Sequence, residues 1–308
     1  LGGFDVFWDN LPGDSRKVFH NFNSDPGFPS VGIFWQDGLA NSIMFGFLHQ
    51  GTIMRYMSAR SFKDCKKAVV THLVVLMPLA ACVVGGAGWL AKALANHGDL
   101  PGDMAADDSF YAATQLISQP GIFGLILAAM IAALMSTVDT LITAISAVWV
   151  NDVHKLYIKK DMIDRQALKV ARLTAIGATL VGIAMVPVFM NFDSIYDAHG
   201  AFTAAVTPPL VVTFVLSVFW KRFTAPAALA TLVVGLLAIG LSFFVPEVIT
   251  PFAHGVPMGE AGDGLFAGVK QYKFMRACYG LTICAVVGVV VSFFTRPEDK
   301  SLAGLVWE

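Results

Sequence analysis

The chain has 308 residues, of which 56% are hydrophobic and 14% are charged, and its formal net charge is −1. Soluble domains carry about 25% charged residues, so this composition excludes an ordinary soluble domain and predicts a polytopic membrane protein. Its nearly neutral charge argues against nucleic acid as a partner, because nucleic-acid binders present a basic surface. The four cysteines do not have metal-ligand spacing, and a disulfide framework is not expected.

About seven hydrophobic segments are long enough to cross a bilayer as helices, which takes about 20 residues each. We call them spans A to G, and together they predict an all-α fold. In chain order the spans cover residues 29–54, 68–94, 120–150, 167–190, 194–220, 225–246 and 273–295. The chain begins on Leu1 and shows no signal peptide, so we expect it to be an internal portion of a longer protein.

The charged residues orient these spans. Lysine and arginine cluster in the turns that follow spans A, C, E and G, whereas the opposite loops are acidic or neutral. The positive-inside rule therefore places the carboxyl ends of these four spans in the cytoplasm. Residues 1–28 then form an external loop. We expect a multi-pass protein of the plasma membrane, or of the inner membrane if the source is bacterial.

Prolines interrupt three spans. In span E, Pro208 and Pro209 free the carbonyls of Ala204 and Ala205. Freed backbone at membrane depth is tolerated only against protein or a water-filled cavity, and broken helices of this kind often line transporter sites. A kink for helix packing is the alternative for this pair, and it is the preferred interpretation of the single prolines in spans B and D.

Span C carries the strongest functional signal. Ala133, Ser136, Thr137 and Thr140 follow the spacing i, i+3, i+4 and i+7, so they share one helical face. Hydroxyl and carbonyl oxygens are hard donors that suit a cation such as Na⁺. The alternative is that each hydroxyl bonds back to its own helix. Asp139 is costly at this depth unless it faces a partner, an ion or water; a contact with a neighbouring helix or a loop cation is its alternative.

Three ordered stretches resemble the sodium:solute symporter family. Residues 123–157 look like the family's sodium-site helix. Residues 49–61 resemble its Asn-Gln…Arg…Ala-Lys-Ser signature, and residues 208–222 resemble its Pro-Pro…Phe-Trp-Lys-Arg segment. The closing residues 301–307 are similar to the tail of the sodium/glucose branch.

The resemblance implies the inverted repeat of five plus five helices seen in the leucine transporter, of which this chain would supply the second part. Residues 29–222 would be core helices six to ten, with span A the broken sixth helix. Residues 223–308 would be peripheral helices and a cytoplasmic tail. The first five core helices would be partners outside this sequence, together with the lipid bilayer and a small-molecule substrate.

The resemblance also implies a function, namely Na⁺-coupled symport of a small polar organic solute, and no enzymatic activity. The Ala133 carbonyl and the Ser136 and Thr137 hydroxyls would supply half of a sodium site that is completed by the absent first core helix. Asp139 and Thr140 are further candidates for sodium binding or coupling.

Candidate substrate residues lie on spans A and E. By resemblance to sugar-transporting members, Phe45 is the candidate inner gate, with a core aromatic as the alternative. Ser42 and Gly200 stand where the sugar branch has an amide, and span B lacks that branch's lysine, which argues against glucose or galactose. His49 and His199 are further candidates, although a helix–helix hydrogen bond is the preferred interpretation of His199.

Two other classes of function remain open at this stage. One is a transporter-like sensor or scaffold fused to a signalling module. The other is an integral-membrane enzyme in which His49, His72 and Asp139 would have to converge, although no short catalytic motif accompanies them. Asp193 and Asp197 lie at the start of span E. They are expected to cap this helix, because the helix dipole favours a carboxylate at its amino terminus.

Overall fold

The computed structural model describes residues 3–17, 22–190, 192, 194–261 and 268–296. These residues contain helices and no strand. Six of the helices are long and apolar enough to cross a membrane, which confirms the prediction of an all-α polytopic membrane protein. They are Phe62–His97, Pro120–Ile158, Asp164–Phe189, Ile195–Phe219, Ala225–Phe244 and Met275–Phe294.

The α-helical elements number eleven in the described residues. They are α1 (Phe4–Asn10), α2 (Ser30–Ile33), α3 (Gln50–Met57), α4 (Phe62–Thr71), α5 (Met77–His97), α6 (Ser109–Ile117), α7 (Pro120–Val148), α8 (Asp164–Phe189), α9 (Ile195–Phe219), α10 (Ala225–Phe244) and α11 (Met275–Phe294). Wider π-helical turns follow three of them, at Phe34–Met44, His72–Leu76 and Trp149–Ile158.

Span A is the predicted crossing that is missing from the six long helices. Its residues form α2, the π-helical turns Phe34–Met44 and a short 3₁₀ turn at Phe45–Phe47, and the helix resumes only at Gln50. Gln36, Asp37 and Asn41 lie inside these π-helical turns. These polar residues make the span less apolar than the six long helices. An interrupted helix is also what the family resemblance implied.

The chain divides into two compact units. The first comprises Leu1–Arg16 with Gln50–Ile195, and the second comprises Lys17–His49 with Tyr196–Glu308. The division of the chain at residues 28 and 222, which follows the family resemblance, stays a prediction.

In the first unit, α5 packs against α1 and α6, α7 packs against α8, and α3 contacts α4 and α7. Local signals set the helix ends: the Ser61 hydroxyl accepts the Asp64 amide at 3.2 Å to cap α4. Gly98, with φ of 96°, closes α5 in the left-handed conformation that glycine tolerates. Pro78 lies at the start of α5, directly after a π-helical stretch, which is a common place for helix irregularity.

In the second unit, α10 and α11 form a closely packed pair. Side chains of α9 and α11, including Val211 and Cys284, make a buried cluster with Ala40. Pro208 and Pro209 do not interrupt α9, which continues to Phe219. Both prolines are buried and contact glycines of α10 and α11. Helix packing is therefore the interpretation that describes this proline pair.

Candidate functional site

The hydroxyl face predicted on span C lies on α7. The Thr137 hydroxyl donates to the Ala133 carbonyl at 3.1 Å, and the Thr140 hydroxyl donates to the Ser136 carbonyl at 2.9 Å. Each threonine therefore bonds back one turn along its own helix, as the alternative interpretation foresaw. Both bonds leave lone pairs on the oxygens, and the side chains of Ser136 and Thr137 are exposed.

An arginine side chain from another helix contacts this face. Arg55 on α3 donates from Nη2 to the Thr140 hydroxyl oxygen at 2.8 Å. Asp139, the neighbouring residue on α7, is exposed. The sequence placed Arg55 in a family-like signature but gave no indication of its partner, because the two residues are 85 positions apart.

The candidate substrate residues lie in the second unit. Asn41 and His199 are within hydrogen-bond distance, with 3.3 Å between Nδ2 and Nε2, which agrees with the helix–helix interpretation of His199. Phe45 and His49 form an edge-on ring contact with 6.4 Å between centroids. Phe45 is partly buried against the cluster of Ala40, Val211 and Cys284, whereas Ser42 is exposed.

A polar group that the sequence did not predict surrounds the start of α9. The Tyr196 hydroxyl donates to Asp37 at 2.5 Å, and the Gln36 amide donates to the same carboxylate at 3.4 Å. Gln36 is 1% exposed, and its Oε1 has no hydrogen-bond partner among the described residues. A Cβ atom at Gly200 would lie 3.3 Å from the Gln36 amide nitrogen, so Gly200 lets this side chain approach α9 closely.

The carboxylates expected to cap span E can be examined at one position. Asp197 lies in the first turn of α9 and accepts a hydrogen bond from Lys273 at 2.5 Å. It therefore takes part in an ion pair in addition to any effect on the helix dipole. Asp193 lies outside the described residues.

The donor chemistry restricts which ion this protein would hold. No group of three histidine, cysteine or acidic side chains that suits a metal ion occurs in the part of the chain that the structure describes. Hydroxyl and carbonyl oxygens on α7 remain as candidate ligands, and such ligands suit a hard cation.

Comparison of the sequence with known proteins finds a family and several named relatives. A sequence model described as "Sodium:solute symporter family" matches residues 30–235. The chain is 27% identical over 260 residues to the sodium/glucose cotransporter of Vibrio parahaemolyticus, covering 79% of this chain and 47% of the relative.

Mammalian relatives match over a shorter region. Sodium/glucose cotransporter 1 of Oryctolagus cuniculus is 31% identical, covering 61% of this chain and 28% of the relative. The human sodium/myo-inositol cotransporter is 30% identical, covering 58% of this chain and 25% of the relative. The chain thus spans about half the length, or less, of the curated relatives it matches. All three relatives are named as cotransporters.

Proposed function

The chain belongs to the sodium:solute symporter family, and from this membership we propose that the complete protein couples Na⁺ entry to uptake of a small polar organic solute. Relatives named for glucose and for myo-inositol support a sugar or polyol; an amino acid or a carboxylate is the wider class. The membrane potential favours Na⁺ entry by about 2.3 kcal/mol per charge for each 100 mV, which supplies the driving force.

We assign Na⁺ to the Ala133 carbonyl and the hydroxyls of Ser136 and Thr137. The observation that carries this assignment is the family match over residues 30–235, which includes all three residues. The 3.1 Å distance between the Thr137 hydroxyl and the Ala133 carbonyl oxygen is compatible with it. Oxygen ligands of a hard cation such as Ca²⁺ lie about 2.3–2.6 Å from it, and Na⁺ is of similar size. Two oxygens at this separation can therefore contact one ion. Asp139 is a candidate for tuning the site through its charge.

The remainder of the site would come from the first core helix of the family fold. The exposure of Ser136 and Thr137 supports this division, because a buried cation needs ligands on more than one side. Bound Na⁺ would hold α7 against that helix and favour the outward-open state. Under the positive-inside rule the carboxyl end of α7 faces the cytoplasm. Family membership supports a location in the plasma membrane.

The solute would bind beside Phe45, with Ser42, His49 and His199 as the nearby polar candidates. The contact between Asn41 and His199 supports a polar surface between the π-helical turns and α9. Ser42 and Gly200 cannot supply the amides that the sugar branch uses at the matching positions. A solute other than glucose or galactose is therefore the better fit.

The sodium assignment can be tested with Ser136→Ala and Thr137→Ala in the full-length protein. Both should sharply weaken Na⁺-dependent uptake, because each removes an oxygen ligand. Thr179→Ala is the matched control, since Thr179 on α8 makes the same kind of bond to its own helix, at 2.9 Å from the Ala175 carbonyl. Normal sodium activation in both α7 variants would contradict the assignment.

The solute can be identified by uptake measurements on the full-length protein with sugars, inositols, amino acids and carboxylates, each with and without Na⁺. A solute whose uptake requires Na⁺ supports the proposal. If no class of solute is taken up in a Na⁺-dependent manner, the proposal is contradicted.

A further inference from the structure

We infer that Arg55 is a positioning residue that latches α3 to α7 through Thr140 and so controls how tightly the sodium site retains its ion. This inference rests on the sodium site proposed above and adds the contact that holds it closed. Its basis is the 2.8 Å hydrogen bond between Arg55 Nη2 and the Thr140 hydroxyl. The two residues belong to different helices, and α3 packs against α7 in the first unit.

The Thr140 hydroxyl relays this contact towards the proposed ligands. It accepts from the guanidinium and donates its own proton to the Ser136 carbonyl at 2.9 Å. Hydrogen bonds from a charged donor are stronger than neutral ones, and successive hydrogen bonds polarise one another. Arg55 therefore stiffens the turn of α7 that carries Ser136 and Thr137. With its donor and one acceptor position engaged, Thr140 becomes a weaker candidate for direct sodium binding.

The position of Arg55 gives the latch a direction. Thr140 lies about one helical turn, or about 5.4 Å, beyond Ser136 along α7. In the proposed orientation this is the cytoplasmic side of the site. A guanidinium held there by Thr140 lies on the path of an ion that leaves towards the cytoplasm. Release of Na⁺ to the cytoplasm would then require Arg55 to let go of Thr140.

The break in span A makes such a movement feasible. Helix α3 begins at Gln50, after the interruption that follows Phe47. It is therefore a separate helix from the π-helical turns. The Arg55 contact with Thr140 adds a side-chain restraint to the packing of α3 against α4 and α7. An arginine near a helix end can instead act only as an anchor at the membrane interface. That alternative predicts no dependence on the Thr140 hydroxyl.

The test is a double-mutant cycle in the full-length protein, reconstituted in lipid vesicles and assayed for Na⁺-dependent uptake. Arg55→Gln and Thr140→Val should each raise the half-saturating Na⁺ concentration by about fivefold or more, the lower end of coupling between communicating sites. The half-saturating Na⁺ concentration of the double variant should be no higher than that of the more impaired single variant, because both substitutions remove the same contact. Arg60→Gln, at a nearby exposed arginine, should behave as wild type. Thr140→Ser keeps the hydroxyl and should restore most of the Na⁺ affinity that Thr140→Val loses.

Three results would overturn the inference: additive effects in the double variant, an unchanged Na⁺ requirement in both single variants, or equal damage from Thr140→Ser and Thr140→Val. The rise in melting temperature caused by Na⁺ gives a second readout that does not need transport, since an ion that binds the folded state stabilises it. That rise should shrink in Arg55→Gln and persist in Arg55→Lys.

The two proposals fail in different ways. If Ser136→Ala and Thr137→Ala both keep normal Na⁺ activation, the sodium site is wrong and the latch is wrong with it. If Ser136→Ala abolishes activation while the cycle shows no coupling, only the latch is wrong.

Discussion

Lys273 and Asp197 form a short ion pair, with 2.5 Å between Nζ and Oδ1. Their side chains are 15% and 24% exposed, so water screens the pair only partly. Lys273 lies just before α11 and Asp197 lies in the first turn of α9. The pair therefore links the beginnings of two membrane-spanning helices within the second unit, beside the contact of Tyr196 with Asp37.

Breaking this pair should destabilise the protein. Exposed pairs contribute about 0–1 kcal/mol, and removing one partner of a buried pair costs about 3–5 kcal/mol, so Lys273→Met should cost about 1–3 kcal/mol. The melting temperature of the purified full-length protein measures this effect. Lys221→Met, at an exposed position, is the control. Equal melting temperatures for the two variants would contradict a stabilising role.

Arg276 should be among the least replaceable residues of the second unit. Its side chain is fully buried and donates to the Ser242 hydroxyl at 2.9 Å and to the Gly268 and Gln271 carbonyls at 2.7 and 3.1 Å. The guanidinium also lies 4.4 Å from the centre of the Phe243 ring. It fastens the segment before α11 to the last turn of α10.

Replacing Arg276 with methionine keeps the apolar stem and leaves these acceptors without their donor. Each unpaired buried polar group costs about 1–3 kcal/mol, so the variant should melt well below wild type, or accumulate poorly. Arg276→Lys should recover only part of the loss, because an ammonium cannot reach all the acceptors of a planar fork. Arg222→Met changes an exposed arginine and should have a small effect. A full recovery by lysine would show that charge alone matters.

Two glycines of the same helix provide a matched test of helix packing. A Cβ atom at Gly235 of α10 would lie 2.5 Å from Cys284 Sγ and 3.0 Å from Pro209 Cγ, whereas one at Gly240 would meet nothing within 4 Å. Gly235→Ala should therefore cost about 1–3 kcal/mol through overpacking. Gly240→Ala should be neutral or slightly stabilising, because alanine favours a helix. Thermal unfolding of both variants measures the difference.

Shortening the opposing side chain should relieve the strain of Gly235→Ala. The double variant Gly235→Ala with Cys284→Ala is expected to recover part of the lost stability, since the closest atom is then absent. If it is no more stable than Gly235→Ala, the contact between α10 and α11 is not the source of the cost.

The sequence predicted most of the helices because an uninterrupted apolar run has few alternatives in a membrane. Spans F and G, predicted at 225–246 and 273–295, differ from α10 (Ala225–Phe244) and α11 (Met275–Phe294) by two residues or fewer at each end. Span A was harder, because its apolar run does not show where the helix is interrupted, and only the family resemblance implied a break. For span E the sequence left two interpretations of Pro208 and Pro209 open, and the structure shows α9 continuing to Phe219 with both rings buried against glycines.

For the candidate sites, the sequence predicted which residues share a helical face but not which distant residues make contact. Helical spacing placed Ser136, Thr137 and Thr140 correctly on α7, because a local period encodes which residues share a face. The contacts of Arg55 with Thr140 and of Tyr196 with Asp37 join residues 85 and 159 positions apart. No local pattern encodes such pairings, so only the folded chain reveals them.

The interruption of span A has a consequence for how the protein assembles. Residues before the break pack with α11, and α3 packs with α4 and α7. The two halves of this segment thus belong to different compact units. The half up to His49 belongs to the second unit, and the half from Gln50 belongs to the first. Substitutions before the break should therefore disturb the packing of one unit, and substitutions after it the packing of the other.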